Sequence, residues 1–246
     1  MFNDRIVRQV TGDTLRPGGF QLTDRAMDWC SLRPHAAILD VGCGNGATVR
    51  NLREHYEFQA FGIDLSPTAL QSGKMAHPSS PLACANSSRL PFPDQSLDAA
   101  LVECSLSVMN EPEGALGELN RALVTGGWII ITDIYARNPG GLARLRALKT
   151  PCYFSGAHSQ EEVVRSVQMH GFDIEAWQDC SEVLKLLTAQ LILNGGLDAL
   201  CEDGSARPGE EAQNKPADLM QIVAGARLGY YLLIARKERE QNSDSY

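Results

Sequence analysis

The sequence predicts an α/β fold with a doubly wound, mostly parallel sheet of seven strands. Short apolar runs rich in branched residues alternate along the chain with segments of helical periodicity, which is typical of strands joined by helices. A glycine-rich turn, GCGNGA at 42–47, directly follows the first apolar run. The 246 residues, of which 43% are hydrophobic, suffice for one large domain with an attached cap.

The first half of the chain is predicted to contain a polar leader followed by two strand–helix pairs. Residues 1–35 are predicted to form the leader and a cap helix, LTDRAMDWCSL, with Thr23 as its capping residue. AAILDV is then a buried strand and GATVRNLREHY a helix. FQAFGID predicts a second strand that ends at Asp64. SPTALQSGKMA predicts a helix capped by Ser66, with Pro67 in its first position.

The second half continues the alternation. PLACAN is a short third strand, and LPFPDQSLDAALVE is a turn that leads into a fourth. EPEGALGELNRALVTGG predicts a helix with acidic residues in its first turn, and WIIITDIY a fifth strand. SQEEVVRSVQMHGF is a helix capped by Ser159, while FDIEAW and RLGYYLLIARK are the last two strands.

One insertion interrupts this alternation. We expect a core at 36–178, a helical insertion at 179–227, the last core strand at 228–236 and a disordered tail at 237–246. The insertion contains an apolar helix, SEVLKLLTAQLILNGG, a mobile polar loop, CEDGSARPGEEAQNKP, and a second helix, ADLMQIVAGAR. A lid or substrate-side wall is favoured over simple packing on the sheet or a homodimer contact. These alternatives arise because four apolar residues of the insertion recur at helical spacing: Leu184, Leu187, Leu191 and Ile192.

Composition excludes several classes of protein. The net charge of −8, from 30 acidic and 22 basic residues, opposes binding to nucleic acid. No apolar run approaches the ~20 residues that span a bilayer, and the polar N-terminus has no signal-peptide core, so we expect a cytoplasmic protein with no membrane contact. Seven scattered cysteines without a CxxC pair argue against a disulfide framework and against a metal site.

The glycine turn predicts a ligand at the carboxyl edge of the sheet. It satisfies the G-x-G-x-x-G/A fingerprint, so the turn alone leaves a nicotinamide cofactor open. Ligands of open parallel sheets bind beyond the carboxyl ends of the strands, where this chain has the glycines, Asp64, ANSSRLPF and ECSLSVM. Asp64 lies eighteen residues past Gly46, where a carboxylate can accept both hydroxyls of a ribose.

Four blocks in register carry a resemblance to a known family: ILDVGCGNG, GIDLSPTAL, LPFPDQSLDAALVE and LNRALVTGGWIIITD. Together they cover about Ala36 to Tyr135, and GYYLLIARK is similar to the same family's last, antiparallel strand. The chain resembles the class I S-adenosylmethionine-dependent methyltransferases, in the small-molecule branch that includes quinone-biosynthesis C-methyltransferases and arsenite methyltransferases. The resemblance implies a Rossmann-like methyltransferase fold, S-adenosyl-L-methionine as the cofactor, and methyl transfer to a small-molecule acceptor.

The resemblance also implies roles at the methionine and ribose end of the cofactor. Three glycines, Gly42, Gly44 and Gly46, would let the backbone approach the methionine portion. Asp40 would neutralise the ammonium group, a role poorly suited to a pyrophosphate, and this favours the methyl donor over NAD. Asp64 would hold the ribose hydroxyls.

At the adenine end, Leu65 would lie against the ring. Asn86 stands where the family usually has an acidic residue, and its side-chain oxygen can still accept from the adenine amino group. The Ser87 amide would donate to a ring nitrogen. Glu103 and Cys104 would border the methionine end, and the segment LRPGGF is expected to fold over the cofactor.

No catalytic residue is assigned, because methyl transfer depends mainly on holding the acceptor in line with the activated methyl group. A base is needed only if the acceptor loses a proton; Asp133, Tyr153 and His158 are candidates for this role or for orienting the acceptor. Buried or incidental thiols are favoured over a three-cysteine arsenic site, whose candidates are Cys43, Cys84, Cys104, Cys152, Cys180 and Cys201. Two alternatives to a methyltransferase stay open, a noncatalytic binding or assembly protein and an NAD(P)-dependent oxidoreductase.

Overall fold

One mixed sheet organises the residues that the structure, a computed structural model, describes: 9–147, 154–194 and 216–239. The strands are β1 Ala37–Val41, β2 Gln59–Asp64, β3 Leu82–Cys84, β4 Leu97–Glu103, β5 Leu123–Ala136, β6 His158–Ser159, β7 Phe172–Asp179 and β8 Leu228–Lys237. The helices are α1 Gln21–Cys30, α2 Ala47–His55, α3 Pro67–Ala76, α4 Pro112–Ala122, α5 Leu142–Arg146, α6 Gln160–Met169, α7 Ser181–Leu193 and α8 Pro216–Ala226. Short 3-10 turns lie at Gly12–Thr14, Leu106–Val108 and Pro139–Gly141.

The strand order is β3-β2-β1-β4-β5-β8-β7, and the short β6 pairs with β5 outside this path. β8 runs antiparallel to both β5 and β7, while the pairings among β1 to β6 are parallel. All seven predicted strands are present, which confirms the predicted fold class. The order reverses at β1, between β2 and β4, so the crevice expected for a ligand lies beyond the carboxyl ends of these strands.

Helices cover both faces of the sheet, which explains why its central strands are apolar along their whole length. Ile129, Ile130 and Ile131 of β5 are all fully buried. Successive side chains point to opposite faces, so Ile130 packs in one apolar cluster and its two neighbours pack in the other. This double core fixes the strand ends that carry the site.

Helix-capping signals in the sequence are confirmed at two helices and fail at one. The Ser66 hydroxyl accepts from the amide of Ala69 at the start of α3, and Ser159 forms a capping box with Glu162 at the start of α6. The assignment of Thr23 as a cap is wrong, because α1 begins at Gln21 and Thr23 is buried within its first turn. Its hydroxyl donates instead to a buried carboxylate described below.

The predicted insertion supplies α7 and α8 before the last strand. Leu187 and Leu191 of α7 are buried and Leu184 is partly buried, whereas Ile192 is exposed. Nearly all of the predicted polar loop and the end of the chain beyond residue 239 lie outside the described residues. Within the described ranges, no helix combines the length and the apolar character that crossing a membrane requires.

Candidate functional site

A cavity of about 650 Å³ opens at the carboxyl ends of β1, β2 and β4, where the strand order reverses. It is lined by eight of the nine residues predicted to bind a cofactor: Asp40, Gly42, Gly44, Asp64, Leu65, Asn86, Ser87 and Glu103. Residues as far apart in sequence as 40 and 103 therefore lie together at the carboxyl ends of the strands.

Gly46 is the exception, since it does not line the cavity. Its φ of 76° starts α2 from the left-handed region, and a Cβ there would lie 2.7 Å from the Leu82 side chain. Gly46 therefore serves the turn and its packing. Gly44, with φ of 54°, differs because no described atom lies within 4 Å of where its Cβ would be. Its backbone faces open space that a ligand can occupy.

Asp64 ends β2 and fastens the glycine turn. Its Oδ2 accepts from the Gly44 amide at 2.8 Å, and its Oδ1 accepts from the Ser66 amide at 2.7 Å. Each carboxylate oxygen has a second acceptor position. The side chain can therefore accept from a bound ligand without releasing either backbone amide.

Asp40 is the buried charge that faces the cavity. Its side chain is 3% exposed, and no described residue donates a hydrogen bond to its carboxylate. Burial and the neighbouring Glu103 raise the pKa of Asp40 well above its usual range, and Arg16 only partly opposes them. A buried carboxylate without a donor is unfavourable, so a cationic group in the cavity would stabilise it.

Glu103, at the end of β4, is enclosed by a network that the sequence did not predict. Thr23 and Thr48 donate to its two oxygens at 2.8 and 3.0 Å. Arg16 pairs with it at 2.9 Å and also donates to both threonine hydroxyls. Burial opposes the charge of Arg16, but Glu103, with smaller contributions from Tyr230 and Asp40, raises its pKa overall. This Arg16–Glu103 network brings the LRPGGF segment to the cavity wall.

The residues predicted to bind the adenine line the cavity, and some of their polar groups already form hydrogen bonds within the protein. The Asn86 oxygen accepts from the Ser88 amide at 3.0 Å. The Ser87 hydroxyl donates to the Met109 sulfur at 3.7 Å. Leu65 is 63% exposed at the cavity rim. Met109 and Val108 belong to the ECSLSVM segment, which was expected at this edge of the sheet, although neither residue was named as a binding residue.

The other predicted candidates divide into cavity residues and residues outside it. Cys104 lines the cavity, with its sulfur 2.8 Å from the Tyr230 hydroxyl. Asp133 does not, which corrects its prediction as a base: it is 1% exposed and accepts three hydrogen bonds from the protein. His158 pairs with Tyr135 in the sheet and is also absent from the lining.

The cysteines show no arrangement for a metal or metalloid in the described part of the chain. Cys43 lines the cavity, Cys84 is exposed, and Cys180 is buried outside the cavity. No group of three or more His, Cys, Asp or Glu side chains among the described residues is arranged to hold a metal ion. Three further candidates, Cys152, Tyr153 and Cys201, lie outside the described residues.

An open α/β sheet with a switch-point cavity, a glycine turn and strand-end carboxylates defines a Rossmann-like cofactor-binding domain. Residues 39–131 match the family described as "Methyltransferase domain". This match confirms, over the core of the chain, the predicted resemblance to the class I S-adenosylmethionine-dependent methyltransferases.

Individual relatives agree with this assignment over part of their length. The O-methyltransferase resE of Aspergillus sclerotiorum is 33% identical over 135 residues, covering 50% of this chain and 51% of the relative. The chain thus spans about half the length of the curated relatives it matches. The [4+2]-cyclase SpnF has a TM-score of 0.69 at 25% identity, over 89% of this chain and 80% of that one. A Haemonchus contortus phosphoethanolamine N-methyltransferase 2, solved with S-adenosylhomocysteine, has a TM-score of 0.70 at 16% identity, over 95% and 56% of the chains, and shares the fold.

Proposed function

We propose that the protein transfers a methyl group from S-adenosyl-L-methionine to a small-molecule acceptor. The observation that carries this proposal is Asp40, a buried carboxylate at the cavity with no donor among the described residues. S-adenosylmethionine supplies an ammonium group for such a carboxylate and an already activated methyl group for the reaction. The protein's own contribution is then to bind, orient and exclude water.

The remaining cavity residues fit the same cofactor. Arg16 keeps a positive charge beside Asp40, and this pair of opposite charges suits a zwitterionic amino-acid end. Asp64 has free acceptor positions for ribose hydroxyls, and Gly44 leaves space for close approach. Glu103 lines the same cavity, and its predicted contact with the cofactor would be made beside the bonds that its oxygens form with Arg16 and two threonines.

Calorimetry with S-adenosylmethionine, S-adenosylhomocysteine and NAD tests the proposal. We expect binding of the first two and none of NAD. Asp64→Ala should weaken binding by about 1.5–3 kcal/mol, as expected for lost charge-assisted hydrogen bonds. The matched control is Asp173→Ala, an exposed carboxylate on β7 away from the cavity. Absence of cofactor binding by the wild-type protein would refute the proposal.

A second candidate is cofactor binding that supports a reaction other than methyl transfer. It is favoured by the likeness to the [4+2]-cyclase SpnF, which is 25% identical over 89% of this chain. Screening small acceptors for conversion of S-adenosylmethionine to S-adenosylhomocysteine separates the two candidates. Conversion with any acceptor supports methyl transfer, whereas tight binding with no conversion across quinols, phenols, amines and thiols favours the second.

Three further properties are proposed with this function. A small acceptor rather than nucleic acid is supported by the net charge of −8. A cytoplasmic location is supported by the thiols of Cys30, Cys43, Cys84 and Cys180, which form no disulfide among the described residues. A homodimer through the insertion is supported by the exposed apolar residues of α7, Leu186, Ile192 and Leu193. Light scattering of the protein and of a Leu186→Ser, Leu193→Ser variant tests the dimer, which the variant should dissociate.

A further inference from the structure

A second buried carboxylate lies beside the cavity without lining it. Asp133, near the end of β5, is 1% exposed. Its Oδ2 accepts from the Ser107 amide, and its Oδ1 accepts from the Ser107 hydroxyl and from the Ile134 amide, each at 2.8 Å. Two of its three donors thus belong to one residue on another segment. Such charge-assisted bonds are the stronger kind, so this contact fixes Ser107 firmly to β5.

Ser107 is the midpoint of one wall of the cavity. We define this wall as residues 104–111, whose cavity-lining members are Cys104, Ser105, Val108, Met109, Asn110 and Glu111. Leu106 and Ser107 do not line the cavity, and Ser107 makes the contact to Asp133. The wall leaves β4 abruptly, since Cys104 has φ of 52° and its amide donates to the Thr132 carbonyl. Both the start and the middle of the wall are therefore attached to β5.

A third segment meets the wall at the same residue. The Ser107 carbonyl occupies the place where a Cβ on Gly156 would lie, so the backbone at 156 packs directly on the turn. The adjoining Phe154 and Ala157 are buried. The chain then enters β6, which pairs with β5 at Tyr135, two residues beyond Asp133. Ser107 is thus enclosed between β5 and this segment.

We propose that Asp133 is a positioning residue for the reaction, which acts through Ser107 to hold the cavity wall at 104–111 in place. This inference rests on the proposed function, because Asp133 can affect the reaction only if the wall faces a bound cofactor and its acceptor. A displacement of about 1 Å in such a wall is enough to misalign an in-line transfer. Asp133 itself touches neither ligand, since it does not line the cavity.

Two substitutions separate the parts of this contact. Ser107→Ala removes one donor and keeps the backbone amide. Asp133→Asn keeps the size of the side chain but places an amide donor against the Ser107 or Ile134 amide. Ser107→Thr retains the hydroxyl and is the conservative rescue. Ser96→Ala is the matched control, because Ser96 also uses its hydroxyl in one hydrogen bond, to the Pro93 carbonyl, away from the wall.

Alkylation of Cys104 by iodoacetamide reports on the wall without requiring any acceptor. Peptide mass spectrometry measures its rate against the exposed Cys84 and the buried Cys30 and Cys43. In Ser107→Ala and Asp133→Asn we expect Cys104 alone to react faster, by about tenfold, the order by which losing one such bond shifts a local opening equilibrium. Ser107→Thr and Ser96→Ala should keep the wild-type rate.

Turnover provides the second readout. With an acceptor that wild-type enzyme methylates, both variants should lower kcat at least about tenfold, while the dissociation constant of S-adenosylhomocysteine changes less than about threefold. Unchanged Cys104 reactivity in both variants would overturn the proposal. Equal acceleration at Cys30, Cys43 and Cys104 would overturn it as well, since it indicates general loosening. If wild-type protein has no turnover, the proposed function fails while the thiol measurement still decides whether Asp133 holds the wall.

Discussion

Replacing Arg16 by methionine tests the Arg16–Glu103 network most directly. The substitution leaves an apolar side chain of similar length and removes the only cation that pairs with Glu103 among the described residues. Breaking a buried ion pair from one side costs about 3–5 kcal/mol, because the remaining charge is buried without a partner. Thr23 and Thr48 still donate to the carboxylate, so we expect the lower end, about 3 kcal/mol.

Urea denaturation followed by circular dichroism measures this loss. With a slope of about 3 kcal/mol per molar urea, the midpoint should fall by about 1 M. Arg50→Met is the matched control, since Arg50 pairs with Asp13, whose side chain is 67% exposed. Such a surface pair contributes less than about 1 kcal/mol.

The double variant Arg16→Met, Glu103→Gln removes both charges and tests their coupling. Because a neutral glutamine can accept from one threonine through its oxygen and donate to the other hydroxyl through its amide, the double variant should be more stable than the sum of the two single changes by about 2 kcal/mol. Additive losses, or a loss for Arg16→Met no greater than for Arg50→Met, would refute the view that this pair is a buried, mutually dependent unit.

Three further measurements follow from the site. Asp40→Asn should weaken S-adenosylhomocysteine binding by about 1.5–3 kcal/mol in calorimetry; unchanged affinity would remove Asp40 from the ammonium site. Burial raises the pKa of Asp133 to about 6 from 3.8, so the native state gains a proton first. This group's contribution to the free energy of unfolding should therefore rise by about 2 kcal/mol as the pH falls from 6 to 4. Comparing the pH slope of stability in wild type and Asp133→Asn isolates it, and identical slopes would contradict the raised pKa. Gly44→Ala should abolish most cofactor binding at a stability cost of about 1–2 kcal/mol for its left-handed backbone. Gly46→Ala should mainly lower stability. If instead Gly46→Ala mainly weakened binding in calorimetry and Gly44→Ala mainly lowered stability in denaturation, the roles assigned to the two glycines would be wrong.

Local chemistry in the sequence predicts most of the fold. Apolar runs that alternate with segments of helical spacing locate every main strand, because both patterns depend only on residues that are close in sequence. The same holds for the capping residues Ser66 and Ser159, whose hydrogen-bond partners lie three residues away. Most of the cavity lining was predictable too, since the carboxyl ends of parallel strands converge at the switch point. Asp40 and Asp64 were found in this way.

Contacts between distant segments were not predictable in the same way. Arg16, Thr23 and Thr48 contact Glu103 from three separate parts of the chain. No pattern among residues close in sequence indicates these contacts. Thr23 was misread because a threonine before an aspartate looks like a helix cap, although its best partner is a buried carboxylate. Asp133 was misread because β5 continues three residues beyond it, paired with β8, so it does not stand at a strand end.

The two backbone amides held by Asp64 bear on how a cofactor would be recognised. Because Gly44 and Ser66 both donate to this carboxylate, the protein's own hydrogen bonds hold the loop and the helix start that frame the ribose region in register. Little conformational entropy remains to be lost there on association. Affinity at this end should therefore depend on shape and hydrogen-bond match, so that analogues lacking a ribose hydroxyl lose binding without recovering it through rearrangement of the loop.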